Sequence, residues 1–228
     1  YLKITLMKNL FLMLISALAL VACKKSDSKL TADSTVKEVA KEMANMNSYI
    51  IEYKQEMNVQ GMKTSSVMTQ YIDIENDKFA METETSSDIM GTKTNEKSLT
   101  INDKEYTYII NPTQKTGMKL KSDEAEENPM DLIKSQEDQT FKQMIEKEGG
   151  KVVGNETFLG KNCIVVEMNK DGQSMKMWYY KGIPLKMTNP VFTLEATKFE
   201  ENASIPSSKF EVPKDIKFSE LPTMPKMN

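Results

Sequence analysis

The chain has 228 residues with 30 basic and 33 acidic side chains, a net charge of −3, and no histidine. Every basic residue is a lysine and the only cysteines are Cys23 and Cys163, so imidazole-dependent nucleophiles and Cys/His zinc sites are excluded. An isoelectric point near 5.3 leaves no basic field for nucleic acid. No catalytic residue, metal site or cofactor is expected, and the chain is not expected to be an enzyme.

The first predicted element is a leader. Leu10 to Val21 is an apolar run of about a dozen residues, whereas a membrane-spanning helix needs roughly 17 to 25. Preceded by Lys8, it has the basic n-region and apolar h-region of a secretory signal, with Met7 as the natural start, so residues 1–22 are expected to be a signal peptide. The run closes on Leu20-Val21-Ala22-Cys23 and turns abruptly polar in "KKSDSKLTADS". That ending resembles the bacterial lipobox, in which a leucine stands three places before the cysteine and a small residue just before it. The resemblance implies cleavage by signal peptidase II ahead of Cys23, a diacylglyceryl group on its sulfur, and a fatty acyl chain, palmitate or similar, on its new amine. One acyl chain binds a bilayer marginally and two or more hold firmly. The alternative is an ordinary cysteine near the end of a signal peptide. Once acylated, Cys23 leaves Cys163 without a partner, so no disulfide is expected. Residues 23–33 read as lipidated cysteine plus flexible tether, whose Lys24 and Lys25 suit anionic headgroups.

Residues 34–228 are expected to form one domain. Ser34 is the expected N-cap of a helix carrying Val36, Val39, Ala40, Met43 and Met46 on one face. The period then changes to two. In "NSYIIEYKQEMNV", Tyr49, Ile51, Tyr53, Met57 and Val59 fall on one side and Glu52, Lys54, Glu56 and Asn58 on the other, the signature of a half-buried strand. Further strands are expected over residues 64–74, 79–87, 95–101, 104–110 and 118–121, joined by "NDK" turns and "NPTQKTG". Short links imply an antiparallel meander. A second helix is expected from Met130 to Glu148, stopped by Gly149-Gly150. Strands over 151–157, 162–169, 175–180, 185–189 and 192–200 complete about ten or eleven.

The later strands carry short motifs: "GNETFLGKNCIVVEM" (154–168), "MWYYKGIPLKM" (177–187) and "IPSSKFEVPKDIKF" (205–218). These are similar to the closing part of exported LolA/LppX-like lipoproteins, and the opening helix-then-strand passage resembles the start of those domains. The resemblance implies an α+β fold: a strongly curled antiparallel sheet, an open half-barrel whose concave face is covered by helices, enclosing an apolar cavity that takes lipid chains in relatives. It brings no catalytic residue.

Eighteen methionines fit such a cavity, since methionine lines adaptable apolar surfaces. Candidates for the concave face are Tyr49, Ile51, Tyr53, Met57, Phe79, Met81, Tyr106, Tyr108, Met175, Met177, Phe192 and Leu194. The blander reading is that they are core, because alternation reports burial and not what does the burying. Met175 and Met177 could offer thioethers to Cu(I), but the methionines are dispersed. The acidic run Asp123, Glu124, Glu126 and Glu127 lacks calcium-loop spacing and reads as a solvated loop. Trp178, with Tyr179 and Tyr180, is expected to bury one face, and Cys163 to be a buried, inert thiol. Two functions remain open. One is a lipid-anchored carrier of a lipid or lipoprotein, anchored by acylated Cys23 in the cell membrane or an outer membrane. The other is a non-catalytic interaction module for an unidentified envelope protein.

Overall fold

The computed structural model describes residues 30–59, 62–89, 91–103, 105–121, 139–170 and 173–220. Helix α1 (Val36–Ala44) is followed by β1 (Ser48–Val59), β2 (Met62–Asp73), β3 (Lys78–Ile89), β4 (Thr92–Asp103), β5 (Tyr106–Asn111) and β6 (Thr116–Lys121). Helix α2 (Phe141–Lys147) leads into β7 (Gly150–Phe158), β8 (Lys161–Lys170), β9 (Gln173–Tyr180), β10 (Ile183–Asn189) and β11 (Phe192–Glu201). A 3-10 turn (Ser207–Phe210) and a last strand, β12 (Lys217–Glu220), end the described chain.

All strands belong to one sheet of 12, ordered β12-β6-β5-β4-β3-β2-β1-β11-β10-β9-β8-β7. It is not closed, since β12 and β7 are its two edges. The expected meanders are present as two antiparallel runs, β1–β6 and β7–β11, welded by the pairing of β1 with β11. Two features depart from the expected all-antiparallel sheet of about ten strands: β12 is an added strand, and it pairs parallel to β6. "KFSE" has too few residues to show a period, and its partner lies far back in the chain.

Both helices start on capping boxes, in which the N-cap hydroxyl accepts from the N3 amide and the N3 side chain accepts from the N-cap amide. For α1 the pair is Thr35 and Glu38, not the expected Ser34. A box from Ser34 would need Glu or Gln at position 37, which is Lys37; the Ser34 hydroxyl instead accepts from the Thr31 amide at 3.0 Å. For α2 the pair is Thr140 and Gln143. The described helix is therefore shorter than the expected 130–148; its start at 130 lies outside the described residues. The stop is as expected: Gly149 takes a φ of +79°, a left-handed conformation that glycine adopts without penalty. The two helix starts are stitched together by the amide of Val36 donating to Gln139 O and that of Phe141 to Ser34 O, each at 2.8 Å.

Directly opposed residues in a ladder point to the same face, so the register sorts every strand residue. One face carries Tyr49, Ile72 and Phe79 in one row and Ile51, Gln70 and Met81 in the next. Across β11, β10, β9 and β8 the same face continues through Leu194, Met187, Met177 and Val166. The helices sit on this face. Phe141 stacks edge-on to Tyr179 at 5.5 Å, and Gly150 lies so close beneath Ile145 that a Cβ there would meet it at 2.7 Å. The reverse face has its own cover over β3–β5, where Ala80, Ile101 and Ile110 are buried. The C-terminal segment supplies it: Lys209 lies 4.6 Å from the Tyr71 ring and donates to Glu82 at 2.7 Å, and Phe218 meets Tyr108 at 5.5 Å.

Candidate functional site

The helix-side face divides into two halves. On the helix side it is a packed core: Tyr49, Ile51, Tyr53, Met177, Phe192 and Leu194 are all buried, with Ile51, Met177 and Leu194 fully so. The Tyr53 hydroxyl donates to the carbonyl of Pro184 at 2.8 Å and the Tyr179 hydroxyl donates to the Met177 sulfur at 3.2 Å. Burial pushes Tyr179 up to about 12 and raises Tyr49 and Tyr53 well above the ordinary phenol value.

Toward β6 the same face changes character. Phe79, Met81, Ile109, Met118 and Leu120 are only half-buried there, and they are interleaved with Thr83, Ser98 and Thr100; Met57 on β1 and Met175 on β9, in the other half, are half-buried too. Where β4 runs on past the end of β5 there is a depression of about 300 Å³, lined by Thr85, Glu96, Ser98, Ile109, Asn111 and Met118 among others. None of the sequence candidates lines it. Ile109 and Met118 face each other across β5 and β6; a period-two count along "YTYIINPTQKTGMKLK" would have found them, had the other face of β5 been chosen.

Tyr106 and Tyr108 are therefore on the reverse face, apart from the other candidates. The register pairs Tyr108 with Ile101, which is opposite Ala80, while Ile109 is opposite Thr100 on the helix side. Strand β5 carries apolar residues on both faces, Ile109 on one and Tyr106, Tyr108 and Ile110 on the other, so alternation alone could not say which faced the helix side. Lys119 lies 3.6 Å from the Tyr106 ring, a cation–π contact.

Trp178 is also on the reverse face, paired with Lys186 and Val165. It is buried, its ring NH donates to Glu156 at 2.8 Å, and Lys176 and Lys186 lie 4.8 and 5.4 Å from the ring. Nearby Cys163 is buried, and burial pushes its thiol up to about 11. That is the environment of an unreactive sulfur. At the start of β8, Lys161 and Lys181 both pair with Glu201, which also accepts from the Tyr180 hydroxyl at 3.0 Å. Burial alone would raise the Glu201 carboxyl; hydrogen bonds from the two lysines outweigh it and hold the group below its ordinary range. Cys23 and the acidic run 123–127 lie outside the described residues. Among the described residues no helix is long and apolar enough to cross a membrane.

These features define a class by architecture: a wide, open, mainly antiparallel sheet with two short helices docked at one end of one face. No protein-family model matches the sequence, and no curated protein matches it. Among solved structures, an uncharacterized conserved protein from Thermus thermophilus aligns with a TM-score of 0.50 at 10% identity, covering 81% of this chain and 98% of that one. At such identity the likeness is one of fold. LprF from Mycobacterium bovis aligns with a TM-score of 0.37 at 7% identity, over 80% of this chain and 97% of its own. A DUF1329 family protein from Desulfovibrio piger ATCC 29098 aligns at 0.33 and 9% identity, over 77% and 95% of the two chains.

Proposed function

We propose that the chain is a bacterial envelope lipoprotein, anchored through acylated Cys23, that binds the apolar part of a lipid or similar amphiphile on the helix-free half of its sheet. It acts by burial of apolar surface and makes or breaks no bonds. The observation that carries this reading is the change along one face. A sealed core lies beneath α1 and α2, and beyond it lie two groups of half-buried apolar side chains, Phe79 and Met81 on β3 and Ile109, Met118 and Leu120 on β5 and β6, with the polar Thr100 and Asn102 of β4 between them. Apolar groups take acyl chains and the flanking polar groups suit a headgroup. We further read the sheet as curled in the manner of LolA/LppX-like lipoproteins. Register shifts at Glu52/Tyr53, Val152/Gly154 and Pro184/Lys186 support that reading, since bulges bend and tighten a sheet.

The second reading, an interaction module with a filled interior, draws its support from the packing of Tyr53, Met177 and Leu194 as core. Native mass spectrometry of the chain extracted from membranes in mild detergent separates the two. A discrete mass that leaves on denaturation and extracts as lipid is the result expected here. A bare protein mass, unchanged after incubation with membrane lipids, would favour the interaction module. The denatured mass tests the anchor independently, because Cys23→Ala removes the acyl increments and blocks cleavage ahead of that residue.

A further inference from the structure

Three hairpins that are neighbours in the sheet, β3/β4, β1/β2 and β10/β11, turn at the same end of it, as the strand order and registers require. Each places a large apolar side chain in solvent at its tip: Ile89 is 47% exposed, Met62 38% and Val191 40%. The amide of Asn58 donates to the carbonyl of Val191 at 2.9 Å, tying two of the tips together. Lys63 and Lys93, both exposed, stand one step behind Met62 and the β3/β4 turn, on either side of Asp88. The opposite end of the same strands is different in kind. Its turns carry Asp73, Glu75, Asp77, Asp103 and Glu105, while Lys181 there is paired with Glu201.

We propose that the three tips are a membrane-contacting rim, in which Met62, Ile89 and Val191 enter the boundary of an anionic bilayer and Lys63 and Lys93 meet its headgroups. Apolar side chains set beside lysines suit an anionic lipid surface, where buried apolar area and attraction to headgroups add. The polarity of the two ends fixes the direction, since the acidic end is repelled by the surface potential that attracts the lysines. The inference rests on the lipoprotein reading above, and it adds an orientation: the strands stand on the membrane, with the half-buried apolar residues of β3, β5 and β6 ranged above the bilayer.

The test uses the full chain, extracted and reconstituted on vesicles of phosphatidylethanolamine and phosphatidylglycerol. A polarity-sensitive fluorophore is attached in turn at Met62→Cys, Ile89→Cys, Val191→Cys and, as control, Asp77→Cys. Cys163 is buried and does not compete for the label. Expected are blue-shifted emission and quenching by brominated acyl chains at all three tips, with Asp77→Cys unchanged. Protein that floats with the vesicles but shows water-like emission at all three tips overturns the rim while leaving the anchor standing, and points to a protein surface instead. Protein that does not float overturns both. An equal shift on phosphatidylcholine alone would overturn the role given to the lysines.

Discussion

Tyr53 shows how much one side chain settles. Its ring is buried between β1 and the helices' side of the sheet, and its hydroxyl reaches the backbone of β10 at Pro184. Removing that donor leaves a carbonyl unpaired, so Tyr53→Phe is expected to cost about 1 kcal/mol, read as a lower urea midpoint with unchanged slope. Titration at this scale acts from the alkaline side. Cys163, ordinarily at 9.0, is raised to about 11, and Tyr179 and Tyr180, ordinarily at 10.0, to about 12, by burial first in each case. The folded state keeps these groups neutral while the unfolded chain ionises, so their stabilisation is complete below about pH 9 and is lost as pH rises toward about 12. The thermal midpoint should therefore be flat up to about pH 8.5 and fall steadily above it; a flat profile to about pH 11 would contradict the burial of these groups. Alternation made the burial of Tyr49, Ile51 and Tyr53 legible in the sequence. It misplaced Tyr106 and Tyr108 because β5 has apolar residues on both faces and no charged side to mark its orientation.

Among the elements, β12 packs closely on a single residue of its neighbour. Gly117 lies under the Phe218 ring, and an added Cβ would stand 2.9 Å from both that ring and the carbonyl of Ile109. Gly117→Ala should push Phe218 off β6 and loosen the strand, seen as faster amide exchange over residues 217–220 with exchange in β1 and β2 unaffected. Equal exchange in both regions would mean that the strap accommodates the methyl. The major strands and both helices could be read locally, since period and capping are properties of neighbouring residues. The cap itself moved by one residue to Thr35 because the box needs a partner three places on. The sequence of β12 held no comparable signal: its four residues are a strand only because β6 offers an open edge.

For the molecule as a whole, the division of one sheet face into a sealed and an open half leads to a prediction that stability and binding separate. Ile109→Ser together with Met118→Ser should abolish retention of a lipid mass in native spectra while shifting the thermal midpoint little, because both sites are only half-buried. Loss of folding instead would place these residues in the core.

The sequence by itself determined the exclusion of imidazole chemistry, the alternation of β1 and the order of helices and strands, all written in composition or in short-range period. Only the tertiary structure decided that β1 joins β11, that β12 runs parallel to β6, which face Tyr108 takes, and that Met62, Ile89 and Val191 share one end. Those facts come from pairing between distant segments, where register is set by the packing of whole faces and not by any residue's own preference.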